Sequence, residues 1–359
     1  MGKAKKQTPE PRIVGVDLHP DSFSAVLICG TNLSDYKVER NYTCLPTSDW
    51  RKFVVNQLPA GCVVVCEAGA NSFELMNQAR TAGHRTVVLN SISAGQIGKA
   101  YLKNDPKDAL RSARIYLSGL ADEVWQPDLD TISLREILSS YGNSKKDLTR
   151  CSNRFKSYLS EHNIRLKTKV RLKESIYREV LKKYSWNMQQ QFLLEQLYRD
   201  WKYASDQRQR FHEMIARTVL ANPSMSMLMN LCGLRLIASF ALVAAIGDIN
   251  RFDRPKKLVA YLGLAPSVHQ SGNHKANGTL QEGGQIHLKA LLIEAAHSVL
   301  KSKNAAGAAL KKWGLALMKR RNKLVAAAAI ARKLAVAVWY AMKGFLPDIL
   351  EGEEIIRGK

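Results

Sequence analysis

Between Ser133 and Leu220 the chain carries one glycine, Gly142, and no proline. A stretch this long without turn formers cannot reverse often enough to build a sheet. Lys, Arg, Gln and Leu dominate it, and apolar residues recur at helical spacing: Phe192, Leu193, Leu197 and Tyr198, then Phe211, Met214 and Ile215. The segment is expected to form long helices paired as an antiparallel coiled coil, ended by Asn222-Pro223. It divides the chain into a first domain over 1–130, a helical arm over 131–222, a further domain over 223–348 and a loose tail over 349–359.

Charge is distributed unevenly over these parts. Residues 1–140 hold 16 Lys and Arg against 15 Asp and Glu, residues 141–220 hold 18 against 8, and residues 221–359 hold 20 against 8. The net charge of +23 therefore sits in the arm and the last part, where a polyanion is the natural partner because neutralised phosphates release counterions. The arm is read as a dimerisation element that also lies along nucleic acid, weighed against a plain helical spacer. No helix combines a basic face with a broad aromatic one, which argues against a membrane surface. The nearest candidate for a membrane span, Leu324–Ala341, is interrupted by Arg332 and Lys333. The basic start has no apolar h-region, and Lys6 stands where a myristoylation signal wants Ser or Thr, so a cytosolic protein is expected. Of six scattered cysteines only Cys62 and Cys66 are close. They flank a valine run and share a strand face, which makes them core residues with no matching pair for zinc.

The first third alternates strand and helix signals. Strands are expected at Arg12–Leu18, Phe23–Cys29, Ser34–Tyr42, Gly61–Cys66 and Arg85–Leu89, and helices at Thr47–Gln57, Asn71–Ala82 and Asp105–Leu120. Three strands followed by alternating helices and strands give a mixed sheet covered by helices. The last third is expected to be helical at Lys256–Leu262, Ile286–Ser302 and Asn322–Met342 and, within Leu228–Ile246, after a short turn at Leu231–Leu234, with a loop over Leu264–Leu280. The fold class is thus α/β plus all-α.

Four acids stand out. Asp17 ends the first strand, Glu67 ends the central apolar strand, and Asp105 and Asp108 sit three apart at a helix start, on one helix face. If the first and fourth strands are neighbours, Asp17 and Glu67 lie side by side at the sheet's C-terminal edge, and a helix start delivered there adds the other two. Carboxylates gathered in this way repel one another unless a cation sits among them. Oxygen-only ligands select Mg²⁺ or Mn²⁺, and two such ions can assist phosphodiester cleavage or transfer. Taken singly, the acids have blander readings as strand-end and helix-start charges.

The order Asp17, Glu67, Asp105, Asp108 resembles the DEDD transposases, an insertion-sequence family that includes the Piv-type invertases. Lys103-Asn104-Asp105-Pro106-Lys107-Asp108-Ala109 matches the family's Lys-x-Asp-x-x-Asp-Ala pattern, and Val124-Trp125-Gln126-Pro127 its Val-Trp-x-Pro. The resemblance implies a RuvC-like domain of RNase H fold. Further on, Gly263-Leu264-Ala265-Pro266 followed by Ser271-Gly272 resembles the hallmark of the same family's C-terminal serine transposase domain. It implies that Ser271, rather than Ser267, attacks a DNA phosphate to form a covalent phosphoserine link. The residues themselves add only that Gly272 admits a close phosphate and that His269, His274 and Lys275 lie nearby in sequence. No nearby acid could activate the hydroxyl, so help from the metal cluster is expected. The run 280–285 departs from the family's basic residue, glycine and asparagine, and so from the local phosphate contacts these imply. Ala331-Arg332-Lys333-Leu334 matches a family helix whose basic pair is expected to face phosphate. The turn Leu231-Cys232-Gly233-Leu234 resembles a helix-hairpin-helix element without its second glycine.

The resemblance further implies donor and target DNA, a bridge RNA that selects them, a homodimer or homotetramer, and a prokaryotic cytoplasm with the nucleoid as the working place. Rival readings are a junction-resolving nuclease with water as nucleophile, an actin-like kinase or ATPase, and a non-catalytic RNA scaffold. The kinase reading needs a second glycine-rich phosphate loop, which the sequence lacks.

Overall fold

The strand expected over Arg12–Leu18 forms with those bounds and is the centre of the first sheet. The computed structural model describes residues 11–69, 71–101, 108–166, 171–271, 274–280, 285–303 and 307–345; Asp105 and Gly272 lie outside that set. The chain divides into two units, Met1–Asp130 and Thr131–Lys359.

In the first unit β1 (Arg12–Leu18), β2 (Ser22–Cys29), β3 (Lys37–Pro46), β4 (Val63–Glu67) and β5 (Arg85–Leu89) form one sheet in the order β3-β2-β1-β4-β5. The first three strands run antiparallel, whereas β4 and β5 run parallel to β1. The helices are α1 (Ser72–Thr81), α2 (Ser91–Tyr101) and α3 (Asp108–Ser118). Period-two alternation sorts the strand residues onto two faces. Val14, Val16, Val64, Cys66 and Val88 pack with Trp50, Phe53, Leu75 and Met76 on one side. Ile13, Val65, Val87 and Leu89 pack with Ala109, Ala113 and Ile115 on the other. Cys62 and Cys66 belong to the first of these cores, and burial pushes the Cys66 thiol up to about 12. This mixed α/β unit is compatible with an RNase H-like domain.

Local details differ from the expectation. The third strand begins at Lys37 and runs on to Pro46. Residues 47–57 are helical throughout, with the expected bounds, but the pitch changes from 3-10 through α to π as Trp50 and Phe53 turn into the core, where the Trp50 indole donates to the Leu75 carbonyl at 2.8 Å. The helix after β5 that the sequence reading left unassigned is α2, whose start is fixed by the Asn90 side chain accepting from the Ile92 amide.

The second unit contains α4 (Leu129–Glu161), α5 (Glu174–Lys183), α6 (Met188–Ala221), α7 (Pro223–Leu228), α8 (Leu236–Ile246), α9 (Pro255–Tyr261), α10 (Ile286–Lys301), α11 (Ala308–Arg320) and α12 (Lys323–Met342). The Asn187 side chain opens α6 with a capping box. Helices α4 and α6 run antiparallel: Tyr158 donates to the Gln190 carbonyl, Arg154 pairs with Asp200, and Tyr141 shares a core with Ile215. At their far end Phe155, Leu159, Val180 and Leu194 form a small separate core. The larger core surrounds α8 and α12. Helix α12 is long and apolar enough to cross a bilayer, yet Ala327, Ile330, Ala331, Leu334 and Val338 bury it among its neighbours.

The segment expected to be a loop over Leu264–Leu280 contains a β-hairpin instead: β6 (Pro266–Ser271) pairs antiparallel with β7 (His274–Leu280). Its polar sequence hides the strands, since backbone pairing does not require apolar alternation. The glycine of the Leu231–Leu234 turn serves packing. Its φ is +91°, and a Cβ there would lie 2.5 Å from the Ala295 carbonyl oxygen of α10.

Candidate active site

The parallel register pairs Val16 with Cys66, so Asp17 and Glu67 follow one another at the C-terminal edge of β1 and β4. Alternation from Ile13 and Val65 puts Gly15, Asp17 and Glu67 on the face that α3 covers. Gly15 sets how closely α3 approaches. A Cβ at this position would lie 2.1 Å from the Ala109 carbonyl oxygen and 2.8 Å from the Ala113 Cβ. The first turn of α3, which opens with Asp108, is thereby seated on β1 two residues before Asp17.

Gly15→Ala is accordingly expected to force α3 away from the sheet and to cost about 2 kcal/mol or more, as overpacking against backbone does. Thermal unfolding would measure this, and a melting temperature equal to that of the unsubstituted protein would contradict the steric account.

Arg111, one turn after Asp108, places Nη2 3.9 Å from Glu67 Oε1 and Nη1 3.8 Å from Asp108 Oδ1. His19 Nε2 lies 3.0 Å from Asp17 Oδ2, and the Asn71 side chain donates to the His19 carbonyl at 3.0 Å, tying that turn to the start of α1. Burial raises the Glu67 carboxyl above its ordinary range; Asp108 and Asp17 push the same way and Arg111 opposes. Asp17 and Glu67 are about one-third exposed at the side chain, and Asp108 is 67% exposed.

Asp17, Glu67 and Asp108 thus gather at one edge and one face. Among the described residues no three His, Cys, Asp or Glu side chains form a ready ion cage, and Arg111 lies between Glu67 and Asp108. Asp105 lies outside the described residues. The donor chemistry fits a hard divalent cation, because it is anionic oxygen throughout and like charges already burden Glu67. Arg111 and His19 escaped the sequence reading. Arg111 was visible as the i+3 neighbour of Asp108 and His19 as the i+2 neighbour of Asp17, but neither spacing reveals which acid is faced.

In the second unit Ser271 ends β6, in register with His274, while Ser267 stands near the strand's start. The base of this hairpin is anchored. The Tyr261 hydroxyl donates to the Ala245 carbonyl at 3.0 Å, the Gln285 amide donates to the Tyr261 carbonyl, and the Arg251 guanidinium lies over the Phe252 and Tyr261 rings at 4.3 and 4.5 Å. Arg135 and Arg251 donate to the carbonyls of Ala244, Ala245 and Ile246, closing the C-terminus of α8. On α12, Arg332 is exposed, whereas Lys333 is half-buried over the Trp313 ring.

Both units match known transposases. Residues 14–164 match the IS110-type DEDD transposase family, and residues 225–312 match the transposase IS116/IS110/IS902 family. Together with the relatives below, these two matches support the IS110-type family of DEDD transposases. It is 25% identical over 238 residues to the putative transposase y4qE of Sinorhizobium fredii, covering 64% of this chain and 56% of that relative. It is 24% identical over 347 residues to the transposase for insertion sequence element IS1111A of Coxiella burnetii, covering 94% and 91% of the two chains. A probable family 20 transposase of Pseudomonas aeruginosa is 29% identical over 130 residues, 36% of this chain and 38% of that one.

Proposed function

We propose that this chain cuts and rejoins DNA, with Asp17, Glu67, Asp105 and Asp108 holding Mg²⁺ or Mn²⁺ and Ser271 as nucleophile. The observation that carries this reading is the convergence of Asp17, Glu67 and Asp108 at one face of one sheet edge, with α3 seated there by Gly15. Bound divalent ions would supply Lewis acidity at a phosphate and stabilise a leaving oxygen. Ser271 then loses its proton and forms a bond to phosphorus, while one P–O bond of the strand breaks and leaves a DNA hydroxyl. Attack by another strand's hydroxyl on the phosphoserine rejoins DNA and restores the serine. The two site-bearing stretches lie in different units, and a homodimer or homotetramer is part of the reading.

The arm over 131–222, the C-terminal domain over 223–348 and the tail over 349–359, which lies outside the described residues, belong to the same proposal; the separate small core at the far end of α4 and α6 supports the arm. Donor and target DNA, a bridge RNA as guide, and action at the nucleoid in the cytoplasm complete it. The excess of basic over acidic residues after position 140 supports a polyanionic partner.

The test is to incubate the full-length protein with DNA carrying its element's ends and Mg²⁺, digest with nuclease and protease, and map the nucleotide-bearing peptide by mass spectrometry. A nucleotide adduct on Ser271 is expected. Cleaved DNA with free ends and no protein adduct would identify water as the nucleophile instead.

A further inference from the structure

We propose that Arg111 is a built-in counter-cation of the acidic pocket, which a divalent ion must displace in order to bind. The inference rests on the reading that Glu67 and Asp108 belong to an ion-holding pocket. The guanidinium lies 3.9 Å from Glu67 Oε1 and 3.8 Å from Asp108 Oδ1, near enough to neutralise both and too far to hydrogen-bond either. Its Nε is buried with no hydrogen-bond partner. A committed structural arginine looks different here: Arg135 donates to two carbonyls at 3.0 and 2.9 Å. Arg111 therefore balances charge without the bidentate geometry that makes arginine–carboxylate pairs strong. A cation held by Glu67 and Asp108 would meet the guanidinium at contact distance with the same sign of charge, so the two exclude one another. The side chain is 26% exposed, which leaves it a way out to solvent.

Binding of an ion thus includes the cost of expelling an arginine, and removing that arginine strengthens binding. Mn²⁺ affinity of the full-length protein, read from the free-ion electron paramagnetic resonance signal, should tighten roughly tenfold in Arg111→Gln, the scale of one partly screened charge interaction. The gain in melting temperature on adding Mn²⁺ should also exceed that of the unsubstituted protein. Glu67→Gln should weaken Mn²⁺ binding. If Glu67→Gln loses binding while Arg111→Gln leaves affinity unchanged or lower, Arg111 is no competitor and the pocket reading stands. If Glu67→Gln binds Mn²⁺ as before, the pocket reading itself fails and this proposal with it. Should Arg111→Gln not fold, ¹⁵N-arginine-labelled unsubstituted protein answers the question. Its Arg111 Nε resonance, assigned by its loss in Arg111→Lys, should shift saturably with Mg²⁺; a resonance that Mg²⁺ leaves in place overturns the proposal.

Discussion

Ser271→Ala should abolish the covalent protein–DNA adduct and lower strand exchange by at least about 10³-fold, the scale on which loss of a nucleophile shows. The substitution removes one oxygen from the end of β6 and leaves the hairpin's backbone pairing with His274 available. DNA binding, Mn²⁺ binding and the melting temperature should therefore stay near their unsubstituted values. Ser267→Ala is the matched control. The two serines are four residues apart on one strand, about 13 Å at the rise of an extended chain. One phosphate cannot be served by both, and Ser267→Ala should retain the adduct. Gel-shifted adduct and strand exchange measured on the three proteins decide the matter: an adduct that survives Ser271→Ala and vanishes in Ser267→Ala would move the nucleophile to the other end of the strand.

How far the sequence reveals this architecture depends on what kind of information each element needs. The β1 and β5 bounds are legible because buried parallel-sheet residues write themselves as short apolar runs. Helix α12 is legible to within a residue, since Asn322 caps it through the Val325 amide and the alanines that follow favour helix. The antiparallel α4 and α6 are legible from an absence of turn formers. The hairpin is not, because Pro266, Gly272 and Gly278 read as breakers and the intervening residues are polar. Helix α2 is obscured by Gly95 and Gly98, which each carry a penalty of about 1 kcal/mol in a helix. At the site, the strand-end positions of Asp17 and Glu67 follow from local pattern once β1 and β4 are neighbours. The seat of α3 on Gly15 and the reach of Arg111 to Glu67 are tertiary facts, set by which helix covers which face, and no window of sequence contains both partners.

Glu67 makes a different and testable demand on the fold, because at this position stability and chemistry are expected to oppose one another. Its carboxyl is held above the ordinary value of 4.5, chiefly by burial and further by Asp108 and Asp17. The folded protein therefore binds this proton more tightly than the unfolded chain does, and the contribution to stability is complete below about 4.5 and lost as pH rises through the raised folded value. At neutral pH the ionised group burdens the fold, and Arg111 offsets only part of that burden. Glu67→Gln keeps the shape and removes the charge, so it should raise the melting temperature by roughly 1–3 °C at pH 7. The difference between the two proteins should close as pH falls below 4.5, where both carry a neutral side chain. Strand cleavage in Mg²⁺ should meanwhile fall about 10²–10³-fold, the loss expected when a metal-holding carboxylate is neutralised. Calorimetric melting over pH 4–8 and a cleavage assay test the two halves separately. A variant that is less stable at pH 7 would mean that Glu67 holds the fold together through its ion pair with Arg111, and cleavage at the unsubstituted rate would remove Glu67 from the chemistry.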